Sequence, residues 1–184
     1  MEKLSGGRIG YVHVEGMDSE SFRRVYSDIL GKYRTCEAVI VDTRHNGGGW
    51  LHDDLATLLD GKEYIRFEPR GQYIGTEPYN KWTKPSCVLI GEDNYSDACG
   101  FPYVYKTLGI GKLIGAPVPG TMTAVWWETQ IDPSIVFGIP QVGAIAVKEG
   151  RYLENMQIEP DILVYNDPAS VLRGQDKQLE AAVE

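Results

Sequence analysis

Hydrophobic positions along the chain alternate between two spacings. Arg8 to Val14 alternates and is rich in β-formers, which predicts a strand. Phe22, Val25, Tyr26, Ile29 and Leu30 then recur at helical spacing, with Asp18-Ser19-Glu20-Ser21 as the cap and Gly31 as the predicted stop. Ala38-Val39-Ile40-Val41 is a continuous apolar run, the pattern of a strand covered on both faces. A helix is predicted from Leu51 to Leu59, closed by Asp60-Gly61, and a short strand around Tyr64 to Phe67. Glu68 to Lys84 is rich in Pro, Gly and Tyr and reads as a long surface loop, a type of segment that often binds ligands.

Next come a strand at Cys87 to Ile90, a helix from Ser96 to about Leu108 and a strand at Lys112 to Ile114. Ala116 to Gln141 is turn-rich, with strands near Ile135 to Phe137 and Ala144 to Val147. Asp161 to Val164 predicts a last short strand before a terminal helix. Strands alternating with helices imply right-handed βαβ crossovers and an α/β core.

Charge and composition narrow the classes. A net charge of −8 with no Lys/Arg cluster argues against a nucleic-acid surface. No apolar stretch approaches the roughly 20 residues that span a bilayer. Cys36, Cys87 and Cys99 are too few and too irregularly spaced for a disulfide framework or a zinc site, so no metal and no cofactor is expected. Cys36 and Cys87, beside apolar strands, read as small core residues. The start has no apolar h-region, and the end stops inside a helical pattern, so both ends read as cuts in a longer protein.

Two turns carry candidate chemistry. Asn94-Tyr95-Ser96-Asp97-Ala98 lies between a strand and a helix and can hold a serine hydroxyl beside a free helix N-terminus. Asn46-Gly47-Gly48-Gly49 follows another strand and also opens a helix. Meeting at one sheet edge, the two would combine a nucleophile with amide donors for an oxyanion. The plainer alternative is that Ser96 or Asn94 merely caps its helix and the glycines merely make a tight turn. His13 reads as a packed or edge residue and His45 as a variable loop residue. His52, beside Asp53 and Asp54, lacks a second histidine at ligand spacing.

Three stretches, Ile9-Gly10-Tyr11-Val12-His13-Val14, Val39 to Gly49 with its Asp-x-Arg-x-Asn-Gly-Gly-Gly run, and Glu154 to Asp161, resemble the C-terminal-processing and tricorn-type serine peptidases. With Tyr95-Ser96-Asp97 and Leu108 to Gly115, the resemblance covers nearly the whole chain. It implies a crotonase-like ββα superhelical core with a mixed, mainly parallel sheet, a single domain over residues 1–184. It also implies an upstream PDZ domain and helical segment.

The processing branch uses a Ser-Lys dyad, and Thr121 stands where its lysine would be. Ser96-Asp97 and Glu154-Asn155 look like the tricorn branch, whose histidine and second serine lie upstream. The resemblance therefore implies Ser96 as nucleophile and Glu154 as the acidic partner that orients the histidine. Amides of Gly48 and Asp97 would receive the oxyanion, and Gly47, Gly49, Arg66 and Arg70 would contact substrate. Arg66 and Arg70 would favour acidic side chains. Asp42 and Arg44 are expected to pair and hold the glycine turn.

The implied substrate is a peptide or unfolded protein, with general base missing from the chain and activity correspondingly weak. Relatives assemble, so a homo-oligomer is compatible with the resemblance, as are the bacterial periplasm and the cytoplasm. Two other readings of the same fold are a catalytically silent peptide- or lipid-binding module and a crotonase-type acyl-CoA enzyme, which would need a basic phosphate-binding cluster.

Overall fold

The computed structural model describes residues 2–184, so Met1 of the expected domain span lies outside the described residues. Along the chain come α1 (Glu2–Ser5), β1 (Ile9–His13), α2 (Ser19–Ser27), β2 (Ala38–Asp42), α3 (His52–Leu59), β3 (Ile65–Phe67), β4 (Gly75–Glu77) and β5 (Ser86–Ile90). Then follow α4 (Asp97–Thr107), β6 (Lys112–Gly115), β7 (Thr123–Thr129), β8 (Val136–Gly143), β9 (Ile145–Ala146), β10 (Arg151–Tyr152), β11 (Ile162–Leu163), α5 (Pro168–Leu172) and α6 (Lys177–Val183).

The central sheet has the order β1-β2-β5-β6-β11, and every pairing in it is parallel. Its middle strands are apolar without alternation because helices cover both faces. Val39 and Val41 of β2 join Val88 and Ile90 of β5 on one face, packed with Leu55, Phe101 and Tyr105. Ile40, Leu89 and Ile114 point the other way and are covered by Leu179, Ala182 and Val183 of α6. Small antiparallel pairs, β3–β4, β7–β8 and β9–β10, extend from this layer. The result is a mixed α/β fold with a mainly parallel central sheet. No helix among the described residues is long and apolar enough to cross a membrane.

Three expectations need correction. Gly31 does not stop the helix, which continues as a widened turn over Asp28–Lys32, with the Tyr33 N–H donating to Asp28 O at 2.8 Å. The widening carries Tyr33 over Gly10, where any Cβ would stand 2.6 Å from Tyr33 Cγ. The stretch from Glu68 to Lys84 is not all loop: β4 pairs with β3, and Phe67 stacks on Tyr79. The Gly-Thr-Glu strand β4 has no apolar residue to mark it in the sequence. Finally, most of the turn-rich stretch from Thr123 onward is the long β7–β8 hairpin, disguised by a bulge at Ala124/Val125 and by Pro140 within β8.

Candidate active site

The turn after β5 is shaped by Asn94, which is fully buried. Its Oδ1 accepts the Gly91 N–H at 3.1 Å, while Nδ2 donates to Thr43 Oγ1 at 3.1 Å and to Ala98 O at 3.0 Å. The turn forces Ser96 to φ 53°, ψ −122°, a conformation that costs a non-glycine residue about 1–3 kcal/mol. Surrounding bonds hold it there. The Ser96 N–H donates to Thr121 Oγ1 at 3.0 Å. Ser96 stands at the N-cap of α4, yet its side chain makes no capping hydrogen bond. The capping explanation for this serine therefore fails, and the hydroxyl is half-buried at the start of the helix.

The glycine turn after β2 is built on Asn46, also fully buried, whose Nδ2 donates to Val14 O at 2.7 Å. Its Oδ1 accepts the Gly48 N–H at 2.8 Å, so the amide expected to face an oxyanion is engaged here by Asn46. Gly48 has φ +93°, and a Cβ on it would stand 2.6 Å from Ser96 Cβ and 3.1 Å from Asp97 N. Only glycine permits that approach. A second link is the Tyr95 N–H donating to Asn46 O at 3.0 Å. The two bends meet.

Where they meet, Asp97 is 1% exposed. Its Oδ2 accepts the N–H groups of Leu51 at 2.6 Å and His52 at 3.0 Å, and its Oδ1 pairs with His52 Nδ1. Hydrogen bonding to Asp97, aided by the charges of Asp97, Asp53 and Asp54 and opposed by burial, raises the His52 pKa above its ordinary 6.5. The backbone N–H of Asp97 belongs to the first turn of α4, where helical amides have no intrahelical acceptor.

Glu154 follows β10. Its Oε2 accepts the N–H groups of Met122 at 3.0 Å and Thr123 at 2.9 Å and the Thr123 hydroxyl at 2.7 Å. The Thr123 hydroxyl bond, with the two amides and against burial, holds its carboxyl below the usual range.

A cleft of about 820 Å³ brings together Gly47, Gly48, Gly49, Ser96, Asp97 and Glu154. Its walls include Trp50, His52, Met122, Val125, Trp127 and Val142. Arg66 and Arg70 are not among the lining residues. Both lie exposed on the β3–β4 hairpin, where Arg66 pairs with Glu63. Sequence reasoning missed the place of His52, because its partner stands 45 positions away. Of the aromatic pair Trp126-Trp127, which from the sequence could line either a substrate groove or a subunit interface, Trp127 stands in the cleft wall on the β7–β8 hairpin.

Asp42 and Arg44 pair as expected, at 2.6 Å, and Arg44 also grips Asp176 at 2.8 Å. Its Nη1 donates to Gln178 Oε1 at 2.8 Å. Cys99, one turn beyond Ser96, is 1% exposed and its thiol is pushed up by burial, as suits a core residue.

A model of peptidase family S41 matches residues 8–164. The tricorn protease of Thermoplasma acidophilum is 27% identical over 184 residues, which is 100% of this chain and 17% of that protein. Tricorn protease homolog 1 of Streptomyces coelicolor is 26% identical over 184 residues, again 100% of this chain and 17% of its own length. The crystal structure of the tricorn protease superposes with a TM-score of 0.87 at 26% identity, covering 99% of this chain and 18% of that one. The photosystem II D1 C-terminal processing protease shares the fold, with a TM-score of 0.59 at 16% identity over 85% of this chain and 42% of its own. The chain spans less than a fifth of the length of these two tricorn relatives. Because the family model covers most of the 184 residues, the chain belongs to peptidase family S41.

Proposed function

We propose that this chain is the crotonase-like core domain of a tricorn-like serine peptidase, cleaving peptide bonds through an acyl-enzyme at Ser96. The observation that carries the reading is the hydroxyl of Ser96: held at positive φ, released from helix capping, and packed against the glycine turn. Such a strained strand-to-helix serine presents its oxygen to a substrate carbonyl.

In this mechanism Ser96 Oγ attacks the scissile carbonyl carbon as a base removes its proton. The negative oxygen is received by the Asp97 N–H and by a glycine-turn amide. Gly48 serves by sharing its N–H between Asn46 and the oxyanion. One such donor is worth roughly 3 kcal/mol. The base then returns the proton to the leaving amine, and water repeats the sequence to free the acid. The resemblance to the tricorn branch supports a Ser-His base from a preceding helical segment, beyond a PDZ domain, with Glu154 orienting it. On that reading the 184 residues alone turn over peptide weakly.

The substrate is an extended oligopeptide lying along the β7–β8 wall, where Met122, Val125, Trp127 and Val142 favour apolar side chains near the scissile bond. Selection of acidic side chains by Arg66 and Arg70 would act from outside this wall, and an unchanged cleavage profile after replacing both with Glu removes it. Assembly into a homo-oligomer is part of the same proposal, and sedimentation of the full-length protein tests it.

The deciding experiment treats the full-length protein with a fluorophosphonate and locates the adduct by mass spectrometry. Modification at Ser96, lost in Ser96→Ala, is expected. An unmodified Ser96 in folded protein rejects the peptidase and favours a silent binding module.

A further inference from the structure

We propose that His52 is a positioning residue for the oxyanion site, its Nδ1–H fixing the Asp97 carboxylate and thereby the bend that presents the Asp97 amide. The catalytic consequence rests on the peptidase reading above; the clasp itself does not.

Asp97 is almost fully buried, so each oxygen needs a donor. Oδ2 is served by two backbone amides at the start of α3, while the donor to Oδ1 is the His52 ring. Amides on one oxygen leave the carboxylate able to pivot about that oxygen. A second donor on the other oxygen removes the pivot. The backbone of Asp97 then has one setting relative to the glycine turn, which comes so near that a Cβ added to Gly48 would stand 3.1 Å from the Asp97 nitrogen. The His52 ring is itself held edge-on by Trp50, with centroids 5.4 Å apart, and both line the cleft with Ser96.

Charge strengthens the clasp. The N-termini of α3 and α4 both meet this carboxylate, so their positive dipole ends are compensated by it. The groups facing His52 are Asp97 from α4 and its own neighbours Asp53 and Asp54, all acidic. They favour the imidazolium, which adds a positive donor to a bond whose acceptor is already an anion. Because the folded pKa is raised, the added stability is complete below the ordinary 6.5 and fades as pH climbs through the folded value.

The test compares full-length wild type with His52→Leu and His52→Asn, whose side-chain amide can donate from the place of Nδ1. Fluorophosphonate labelling of Ser96 and peptide kcat and KM are followed from about pH 5.5 to about pH 9. His52→Leu is expected to slow labelling and kcat by about tenfold or more with KM little changed. His52→Asn is expected to recover most of the rate while losing the wild-type change with pH above neutrality. A His52→Leu protein at the wild-type rate overturns the proposal, as does His52→Asn as impaired as His52→Leu, which would make the ring a proton carrier instead. Hydrogen exchange at the Leu51 and His52 amides reads the clasp without any chemistry. Faster exchange in His52→Leu and restoration in His52→Asn support it; unaltered exchange in His52→Leu overturns it even where Ser96 resists labelling and the peptidase reading has failed.

Discussion

Asp97 Oδ2 accepts the Leu51 N–H at 2.6 Å, a bond that joins the first turns of two helices from different crossovers. It makes the Asp97 side chain a tie between the two helix starts at the edge of the cleft. Asp97→Asn removes the charge and offers one acceptor where there were two. A loss of about 1–3 kcal/mol in urea unfolding is expected. His52 should then titrate closer to its ordinary value, as read by NMR of the ring.

Gly48→Ala places a methyl 2.6 Å from Ser96 Cβ and 2.7 Å from Tyr95 O, at a φ of +93°. Backbone cannot yield as a flexible side chain would. The variant is expected to lose Ser96 labelling by about a hundredfold or more, with a clear drop in Tm. Labelling at the wild-type rate would show that the glycine turn does not approach Ser96 in solution.

Ser96 separates strain from chemistry. Ser96→Gly and Ser96→Ala both remove the hydroxyl, but only glycine adopts φ 53° without steric cost. The glycine variant should therefore be the more stable of the two by about 1 kcal/mol in denaturant unfolding. Equal stabilities would mean that the turn relaxes once the hydroxyl is gone.

Acid should weaken the fold through Asp176. Burial alone would raise its pKa, but hydrogen bonds from Arg44, Asn166 and the Leu179 amide outweigh it and lower the value to about 2. A depressed folded pKa gives stability that is present above the ordinary 3.8 and lost as pH falls toward about 2. Thermal unfolding from pH 5 down to about pH 2 should show this loss in wild type and less of it in Asp176→Asn.

Much of this was legible in the sequence, for identifiable reasons. The runs Ala38 to Val41 and Cys87 to Ile90 announce central strands because burial on both faces leaves no polar alternation. The two turns could be placed because Ser96 and the glycine triplet each stand between a strand and a helix, while the local pattern alone did not separate a nucleophile from a helix cap. The β7–β8 hairpin was obscured because its strands are mostly exposed and its register is interrupted. The engagement of the Gly48 amide by Asn46, and that of Asp97 by His52, depends on side chains meeting across loops. Local patterning carries no trace of such meetings.

The guanidinium of Arg44 joins the strand end below the glycine turn to Asp176 and Gln178 at the start of the last helix. Residues 132 and 134 positions apart are thereby coupled through one planar group. Displacing α6 would take the Asp176 and Gln178 bonds from Arg44 and leave its guanidinium with Asp42, so the last helix and the strand end share one fastening.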